Sequence, residues 1–474
     1  MENIYFIEAK SPGAHIYSKV ALPRLGTILL ATILKNEGYN SKTFIEDIAE
    51  PDWNELEKAD LIGISSITST APRAFDLAKR FRSKGISIVM GGPHSTFLQE
   101  ESLEYADYVV RGEGEVTIVE LIEHLNLGKP LHDIKGLSFN EDGKIFHNPD
   151  RPLIEDLDSI PIPDFSLVHE WSKKKRKTVP IATSRGCPFG CKFCSVIQMF
   201  GRKYRFNSIN RVIEELKIHA TKRIHIFFID DNFAANKART KELLKRMIDE
   251  NIDIEWSAQF RVDVAEDPEL VGLMQIAGCV NCFIGFESIN PMTLELYNKK
   301  QELTDIEECI KVLRKAHINI HGMFVLGGDT DEIKTIWDTL KFAKRQKITS
   351  IQFLMLTPLP GTPVFYDFLE HNRLLSTNWE NYDAHHAVFD PERMTAIELH
   401  VTTLKAMSKF YSWSYITKNF FRFKWLYMGA GIYGKHASHE ALKKAKDYVE
   451  ELKSSSADKL KKYLEKIRLS KGKR

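Results

Sequence analysis

Cysteine is scarce and unevenly placed in this chain of 474 residues: there are six, and none occurs in the first 186 positions. Three of the six lie within eight consecutive residues, too close together to pair sensibly. The chain therefore does not encode a disulfide framework of the kind found in secreted domains. A reducing compartment suits this usage, and we expect the protein to be cytoplasmic.

Strong charge bias and long apolar runs are absent as well. Lys and Arg number 66 against 64 Asp and Glu, a formal net charge of +2, which argues against a dedicated nucleic-acid binder. No uncharged apolar run approaches the ~18 residues needed to span a bilayer. A strand-like run rather than a cationic region follows Glu2, so we expect no secretory signal. The length is sufficient for two to four domains with real cores, as expected from the general size of domains.

A compact cysteine motif is the most informative feature present. Cys187, Cys191 and Cys194 have the spacing C-x3-C-x2-C, which supplies three thiolates from one tight loop. Four normally hold an iron–sulfur cluster, so a cubane held by these three leaves one iron open to a substrate or cosubstrate. Half of a zinc site is the alternative, because C-x2-C also suits zinc, although no second Cys or His pair at similar spacing is obvious.

The motif, with Phe193 directly before its last cysteine, resembles the signature of the radical S-adenosylmethionine (radical SAM) enzymes. The resemblance implies that Cys187, Cys191 and Cys194 hold a [4Fe-4S] cluster whose open iron chelates S-adenosylmethionine. It also implies that an electron from the reduced cluster cleaves the sulfonium to methionine and a 5′-deoxyadenosyl radical, which abstracts hydrogen from an unactivated carbon. An electron donor such as flavodoxin or ferredoxin is then expected as a partner.

Residues 1–130 alternate short apolar runs with helical stretches, a pattern that predicts a parallel sheet covered on both faces. The predicted strands are 4–7, 43–46, 61–65, 86–90 and 108–110, and the predicted helices are 25–37, 72–82 and 115–124. Ligands of such sheets bind at the carboxyl ends of the strands. The loops there, 91–94 and 111–115, contain glycines that let a backbone lie against a bulky ligand or turn sharply into a helix.

Together with residues 22–26, 63–66 and the cysteine motif, these loops resemble the cobalamin-binding domain that precedes the radical SAM domain in one large subfamily. The resemblance implies cobalamin as a further cofactor. The residues that it places in contact with cobalamin are Ser65, Ser66, Gly91, Gly92, Pro93, His94, Arg111, Gly112 and Glu113. The chain lacks the Asp-x-His-x-x-Gly motif by which some cobalamin proteins supply a histidine to cobalt, so His94 is not expected to ligate the metal.

Between residues 178 and 357 six predicted strands alternate with helices or closing loops. The strands are 178–183, 224–229, 254–259, 282–286, 319–326 and 350–356, and the helices lie near 208–220, 236–250, 267–277, 303–316 and 330–346. Six such units resemble the open partial barrel of radical SAM enzymes, and barrel chemistry sits on the loops after the strands. The resemblance implies further contacts to S-adenosylmethionine from Phe193, Asp230, Asp231, Asn232, Arg261, Glu287 and Gly327.

Each of these residues has a structural alternative. Asp230 and Asp231 could cap the next helix, Arg261 and Glu287 could form a structural ion pair, and Gly327 could simply make a turn. Cys279 and Cys282 are too few to hold a second cluster, and we interpret them as packed core thiols.

As a whole the patterns predict an α/β chain with four parts. These are a doubly wound, Rossmann-like cobalamin-binding domain (1–135), a hairpin and linker (136–177), a radical SAM partial (β/α)6 barrel (178–365) and a C-terminal helical domain (366–474). The last part has helix candidates at 394–420 and 438–468. Residues 410–427 interleave aromatics with cations, which suits peripheral contact with a membrane and a lipid-like substrate. The alternative is a helical cap that packs its aromatics over the barrel mouth.

The implied function is that of a cobalamin-dependent radical SAM methyltransferase acting on an unactivated carbon of a small or lipid-like molecule. One alternative is an enzyme with the same cofactors that oxidises, cyclises or couples its substrate without methyl transfer. Another, of a different class, is a non-catalytic cobalamin- or metal-binding sensor. No readable motif in the sequence specifies the substrate.

Overall fold

Two sheets built mainly from parallel strands organise the chain. The computed structural model describes residues 1–11, 13, 22–174, 177–220 and 224–454. The first sheet contains β1 (Asn3–Glu8), β2 (Asn40–Ile45), β3 (Leu61–Ser65), β4 (Ser87–Gly91), β5 (Tyr108–Val110), β6 (Leu137–Glu141) and β7 (Lys144–His147). Their spatial order is β2-β1-β3-β4-β5-β6-β7, and the first five are parallel.

Helices cover this sheet, which is why its central strands are buried along almost their whole length. The helices are α1 (Leu25–Asn36), α2 (Trp53–Leu56), α3 (Ala71–Arg82), α4 (Pro93–Phe97), α5 (Gln99–Leu103) and α6 (Glu115–Leu127). The five strands and three helices predicted for residues 1–130 are confirmed to within a few residues. The predicted hairpin is confirmed too, and its first strand, β6, pairs antiparallel with β5, so the hairpin extends the sheet.

The second sheet is an open partial barrel, as predicted. Strands of this region are β8 (Lys177–Ile181), β9 (Ser184–Arg185), β10 (Arg205–Phe206), β11 (Ile224–Phe228), β12 (Glu255–Phe260), β13 (Cys279–Glu287), β14 (Asn319–Leu326) and β15 (Ser350–Met355). The barrel order is β15-β14-β13-β12-β11-β8, all parallel, while β9 and β10 form a separate two-stranded ribbon. Its helices are α7 (Val196–Phe200), α8 (Ile209–His219), α9 (Lys237–Asp249), α10 (Pro268–Ile276), α11 (Pro291–Leu296), α12 (Leu303–Lys315), α13 (Ile333–Arg345) and α14 (Pro363–Glu370).

The C-terminal region is helical, as predicted, but the helix limits differ. It contains α15 (Ala396–Phe410), α16 (Trp413–Phe421) and α17 (Trp425–Ser454). The single helix predicted at 394–420 ends at Tyr411, whose hydroxyl donates to Ile351 O (2.8 Å) and thereby fixes the break. The helix predicted at 438–468 begins earlier, at Trp425, and residues 455–468 lie outside the described part.

The three C-terminal helices run up and down the side of the barrel. α15 starts beside the carboxyl end of β14, where Leu399 lies against Gly327, and finishes beside the start of β15. α17 runs back in the direction opposite to α16, towards the carboxyl ends of the strands. The Tyr448 hydroxyl near its end donates to Ala387 O (2.9 Å). Residues 410–427 therefore lie at the amino ends of the strands and do not cap the barrel mouth. Among the described helices, none combines the length and apolarity that crossing a membrane requires.

Candidate active site

The three motif cysteines lie on the loop that follows the first barrel strand and the ribbon strand β9. Pairing of β9 with β10 closes the base of this loop, and Cys187 N–H donates to Gly201 O at 3.2 Å. Gly186 has a φ of +91°, and a Cβ there would lie 2.3 Å from Lys203 O. Only glycine lets the chain enter the loop so close to the neighbouring backbone. We call this segment, residues 186–195, the cysteine loop.

The thiols of the cysteine loop are partly exposed, yet the protein around Cys191 and Cys194 disfavours the thiolate. Burial raises the pKa of Cys191, and it raises the pKa of Cys194 to about 12. Ligation therefore depends on a metal cation that displaces the protons. Within the described part of the chain no three His, Cys, Asp or Glu side chains converge on a single ion, whereas a cubane offers each thiolate its own iron. The donor set fits a cluster, and the three cysteines stay its proposed ligands.

The polar residues after β11 take three different positions. Asp230 is buried and accepts hydrogen bonds from Thr183 N–H (3.0 Å), Thr183 Oγ1 (2.8 Å) and Ser184 Oγ. It thus ties the end of β11 to the chain that enters the cysteine loop. Asn232 is also buried, and its Oδ1 has no hydrogen-bond partner among the described residues. Asp231 instead reaches a cavity, where burial and then the charge of Asp230 raise its pKa to about 7.

Arg261, which follows β12, is held against the cysteine loop. Its guanidinium lies 3.8 Å from the centroid of the Phe189 ring, a cation–π contact, and Nη2 donates to Lys300 O at 3.2 Å. Nε lies 3.8 Å from Asp263 Oδ1, too far for a hydrogen bond. The structure therefore brings Arg261 beside the cysteines, and its role towards the carboxylate of S-adenosylmethionine stays a prediction.

Glu287 does not pair with Arg261, the structural alternative considered for both. It forms an ion pair with Lys299, with Nζ 2.7 Å from Oε1, and both side chains are about 90% buried. Glu287 has a left-handed backbone, φ +61°, at a point where the register of β13 against β14 shifts. Lys299 and Glu287 both act on the charge of Cys191, so this buried pair borders the cysteine loop.

The turn after α11 is a part of the site that sequence reasoning missed. Asn298 Nδ2 donates to Gly190 O at 3.0 Å, and Lys192 N–H donates to Tyr297 O at 3.4 Å. The Tyr297 ring also meets Phe193 edge-on, with centroids 5.1 Å apart. This turn therefore positions the cysteine loop from the side opposite the ribbon. Its residue types carry no cofactor chemistry, so no signal in the sequence could have found it.

Gly327, after β14, meets a helix. Its φ is +95°, and a Cβ there would lie 2.5 Å from the Leu399 side chain of α15. The amides of Gly327 and Gly328 donate to Asp331 Oδ2 at 3.1 and 3.2 Å. The glycine is thus needed for close packing of α15, and its predicted approach to adenine stays a prediction.

The remaining cysteines lie away from the loop. Cys279 and Cys282 are buried at the amino end of β13 with their sulfurs 3.8 Å apart, and Cys309 is buried on α12. Burial raises the pKa of Cys309 to about 12. These positions agree with the interpretation of Cys279 and Cys282 as packed core thiols.

One cavity of ≈ 570 Å³ lies between the carboxyl ends of the two sheets. From the first sheet and its loops it is lined by residues that include Ser65, Gly91, Gly92, Pro93, Gly112 and Glu113. From the barrel it is lined by residues that include Ala182, Ser184, Arg185, Phe227, Ile229, Asp231 and Gln259. The ends where ligands of parallel sheets bind therefore face each other across a single space.

Three predicted cobalamin contacts are not among the described residues that line this cavity. Ser66 is fully buried behind Gly92, and His94 Nε2 lies 3.2 Å from Glu101 Oε2. Arg111 is bonded to Asn148 O and holds the β6–β7 hairpin. Their predicted roles stay predictions. In the structure, Ser66 packs in the interior, and His94 and Arg111 contact polar atoms of other residues in the same chain.

The cavity wall on the first sheet is largely backbone. Gly92 has a φ of +92°, and a Cβ there would lie 2.6 Å from Ser66 O, so this loop can only be built with glycine. Small residues around it leave room for a bulky group, and none of the described lining residues is a histidine. This wall fits cobalamin held by backbone and small side chains of the loops after β3 and β4.

Glu113 lies at the cavity edge and joins the first sheet to the two-stranded ribbon β9–β10. It accepts from Arg205 Nη1 and Nη2 (2.9 and 2.8 Å), from Arg185 Nη1 (2.9 Å) and from Ile154 N–H (2.8 Å). Burial alone would raise the pKa of Glu113, but Arg205 and Arg185 outweigh it and lower that pKa. A carboxylate predicted to touch cobalamin thus also fixes the strand that leads into the cysteine loop.

Comparison with known proteins identifies the family. A model of the radical SAM superfamily matches residues 181–371, and a model of the B12 binding domain matches residues 17–122. An uncharacterised methyltransferase of Pyrococcus horikoshii is 35% identical over 408 residues, which span 82% of this chain and 88% of the relative. The chain belongs to the cobalamin-binding radical SAM enzymes. Members of this family combine a [4Fe-4S] cluster, S-adenosylmethionine and cobalamin.

Two further relatives of this cobalamin-binding radical SAM enzyme have named activities. A bacteriochlorophyllide d C-12(1)-methyltransferase of Chlorobaculum tepidum is 29% identical and covers 84% of each chain. An anaerobic magnesium-protoporphyrin IX monomethyl ester cyclase of Rubrivivax gelatinosus is 28% identical over 78% of this chain and 70% of its own. The solved structure of the cobalamin-dependent radical enzyme OxsB, with aqua-cobalamin bound, has a TM-score of 0.72 at 17% identity and covers 93% of this chain and 72% of its own. That likeness shows the shared fold.

Proposed function

We propose that this enzyme transfers a methyl group to an unactivated carbon of a small, largely apolar molecule. The observation that carries the proposal is the single cavity that both sheets line with the carboxyl ends of their strands. When bound, the cluster with S-adenosylmethionine supplies a carbon-centred radical and methylcobalamin supplies the methyl group. A substrate in this cavity would be within reach of both sources.

The residues of the chain bind, orient and exclude water. Cys187, Cys191 and Cys194 would hold the cluster, with Arg261 and Glu287 beside them to orient S-adenosylmethionine. The cavity is lined by apolar side chains that include Phe6, Leu29, Val89, Met199, Phe227 and Ile229. A dry, apolar wall matters because a primary alkyl radical attacks whatever lies near it.

The relatives support an apolar substrate. Both named relatives act on tetrapyrroles, which are large and mostly hydrophobic rings. We propose a substrate of comparable apolarity, with lipid-like molecules included, and an electron donor such as flavodoxin or ferredoxin. Peripheral contact with a membrane through residues 410–427 is a separate proposal, because it depends on a surface at the other end of the barrel.

A second candidate function is oxidation, cyclisation or coupling without methyl transfer. The cyclase relative favours it, since its similarity to this chain is nearly that of the methyltransferase of Chlorobaculum tepidum. Both candidates use the same cofactors and the same cavity, so the fate of the methyl group distinguishes them.

The deciding experiment uses anaerobically reconstituted enzyme, reductant, methyl-labelled S-adenosylmethionine and an apolar extract of the source cells. We expect deoxyadenosine release and label in an extracted product. Label that stays on cobalt while an unlabelled product forms would favour the second candidate. The triple variant Cys187→Ala/Cys191→Ala/Cys194→Ala should lose cluster iron and deoxyadenosine release, whereas Cys309→Ala, a buried cysteine outside the loop, should keep both. Deoxyadenosine release undiminished in the triple variant would overturn the proposal.

A further inference from the structure

Large apolar side chains are exposed together at the turn between α16 and α17. The members are 47–76% exposed: Phe420, Phe421, Phe423, Trp425 and Leu426. Single exposed apolar residues are normal on a protein surface, but a contiguous group of this size marks a contact site. We call it the aromatic surface.

The aromatic surface is continuous and its backbone is fixed. The Phe420 ring lies 5.4 Å from the Phe421 ring and 5.6 Å from the Trp425 ring, and Phe423 lies 6.1 Å from Trp425, all between centroids. Phe423 N–H donates to Phe420 O (3.0 Å) and Lys424 N–H donates to Asn419 O (3.0 Å). The turn is therefore closed by its own hydrogen bonds while its rings stay outside.

Other aromatics of the same segment are turned inwards. The hydroxyl of Tyr411 bonds to Ile351 O (2.8 Å) and that of Tyr415 to Thr349 O (2.7 Å), both at the start of β15. The segment thus uses its tyrosines to dock on the barrel and leaves Phe, Trp and Leu in solvent. This division is the one expected of an element with a second partner outside the chain.

The charges of the chain segment that carries the aromatic surface have one sign. Residues 399–439 contain six Lys and Arg and no Asp or Glu. Lys418, Arg422 and Lys424 lie within the surface. Burial and then repulsion from Arg422 lower the pKa of Lys418 and of Lys424, so these cations are close enough to repel one another. Nothing in this stretch of sequence neutralises them.

We propose that the aromatic surface binds the headgroup region of an anionic lipid bilayer, with Phe421, Phe423 and Leu426 inserted and the cations against lipid phosphates. Exposed rings flanked by cations are the composition of interfacial membrane segments. Charge complementarity favours an anionic bilayer over a second copy of this chain, because two aromatic surfaces would bring like charges together. The inference does not depend on the proposed methyl transfer.

The position of the surface separates anchoring from substrate entry. It lies beside the amino ends of β14 and β15, where Lys424 Nζ reaches Asn319 Oδ1 (2.9 Å), and so at the opposite end of the barrel from the cysteine loop. A bilayer bound there leaves the barrel mouth and the cavity open. An enzyme that handles apolar molecules would thereby be concentrated at the membrane without its active site being covered.

The test is flotation of the cofactor-loaded enzyme with vesicles of phosphatidylcholine alone or with about 30% phosphatidylglycerol, an anionic fraction high enough for electrostatic binding. We expect binding to the anionic vesicles, weakened by high salt, and a blue shift of tryptophan fluorescence because Trp425 is exposed within the surface. The variant Phe421→Ser/Phe423→Ser/Leu426→Ser should bind at least about tenfold more weakly. Arg422→Glu should weaken binding to anionic vesicles and reduce its salt dependence.

The matched control is Ile218→Ser/Ile276→Ser, which removes two side chains that are 60% and 70% exposed on α8 and α10, outside the aromatic surface. It should bind as the native enzyme does, and unchanged cofactor content would show that the variants are folded. Absence of vesicle binding, or equal binding by the triple variant and the control, would overturn the proposal. A dimer in solution that the triple variant abolishes, without vesicle binding, would assign the surface to a second copy and overturn it equally.

Discussion

At the scale of single residues, the candidate site is assembled from ionisable groups that the fold has taken out of water. Glu287 and Lys299 compensate each other, and Glu113 is compensated by two arginines. Removing one member of such a buried pair typically costs ~3–5 kcal/mol, because the other charge is left alone. Glu215, on α8, is different: it lines the cavity, is 2% exposed, and its Oε1 has no partner among the described residues.

Glu215 should therefore make stability depend on pH. Burial raises its pKa from 4.5 to about 7, against a smaller opposing effect of Arg211. The folded protein keeps this proton to a higher pH than the unfolded chain, so the folded state loses stability as pH rises from about 4.5 to about 7. At ~1.4 kcal/mol per pKa unit, the loss above that range is about 3 kcal/mol.

The variant Glu215→Gln should thus raise the melting temperature at pH 8 by several degrees and change it little at pH 4. Its control is Glu214→Gln, which removes an exposed carboxylate from the neighbouring position. Melting curves of the three proteins across this pH range check the prediction. An equal effect of Glu215→Gln at both pH values would show that the pKa of this carboxyl does not differ between the folded and the unfolded state.

At the scale of elements, the sequence predicted those parts that local chemistry dictates. Apolar runs gave the strands, and Gly92 marked a turn that no other residue could make. The spacing of the cysteines placed the loop at the end of the first barrel strand. What it could not give were contacts formed between distant segments, such as Tyr297 and Asn298 against the cysteine loop.

The early start of α17 shows the same limit. Gly429 and Gly431 resemble breaks in a helix, yet α17 runs through both. A Cβ at Gly431 would lie 2.8 Å from the Tyr415 ring, so this glycine permits α16 and α17 to pack closely. Sequence alone cannot distinguish a glycine that ends a helix from one that lets a neighbouring helix approach.

The two glycines should respond oppositely to alanine. Gly431→Ala should destabilise the protein by ~1–3 kcal/mol because it overpacks the contact with Tyr415. Gly429→Ala meets open space and should stabilise it by up to ~1 kcal/mol through helix propensity. Urea unfolding followed by circular dichroism measures both. If Gly431→Ala raised the midpoint as Gly429→Ala does, the close contact between α16 and α17 would be wrong.

At the scale of the whole molecule, function requires the two sheets to keep their carboxyl ends opposed. Contacts far from the cavity contribute, for Trp379 Nε1 of the C-terminal region donates to Glu101 of the first domain (3.0 Å), and Phe97 packs against Gly361. Closest to the cavity is Glu113, which binds Arg185 and Arg205 on either side of the cysteine loop. The Glu113 carboxylate, on the loop after β5, thus sets where the cysteine loop begins.

Glu113→Gln should loosen this arrangement without removing a cluster ligand. Arg205 would remain buried without its countercharge, and a loss of ~3 kcal/mol is expected. Glu155→Gln, the control, breaks an ion pair with Lys203 in which both side chains are largely exposed, and it should leave stability nearly unchanged. Iron content should stay native in both variants, and cobalamin content should stay native in Glu155→Gln. In Glu113→Gln, however, deoxyadenosine release should exceed product formation, because the radical and methyl sources are no longer held at a fixed distance from each other.

Small-angle scattering of the apoprotein provides a readout independent of turnover, with a larger radius of gyration expected for Glu113→Gln alone. Native dimensions together with native coupling in that variant would mean that the remaining contacts suffice to hold the sheets together.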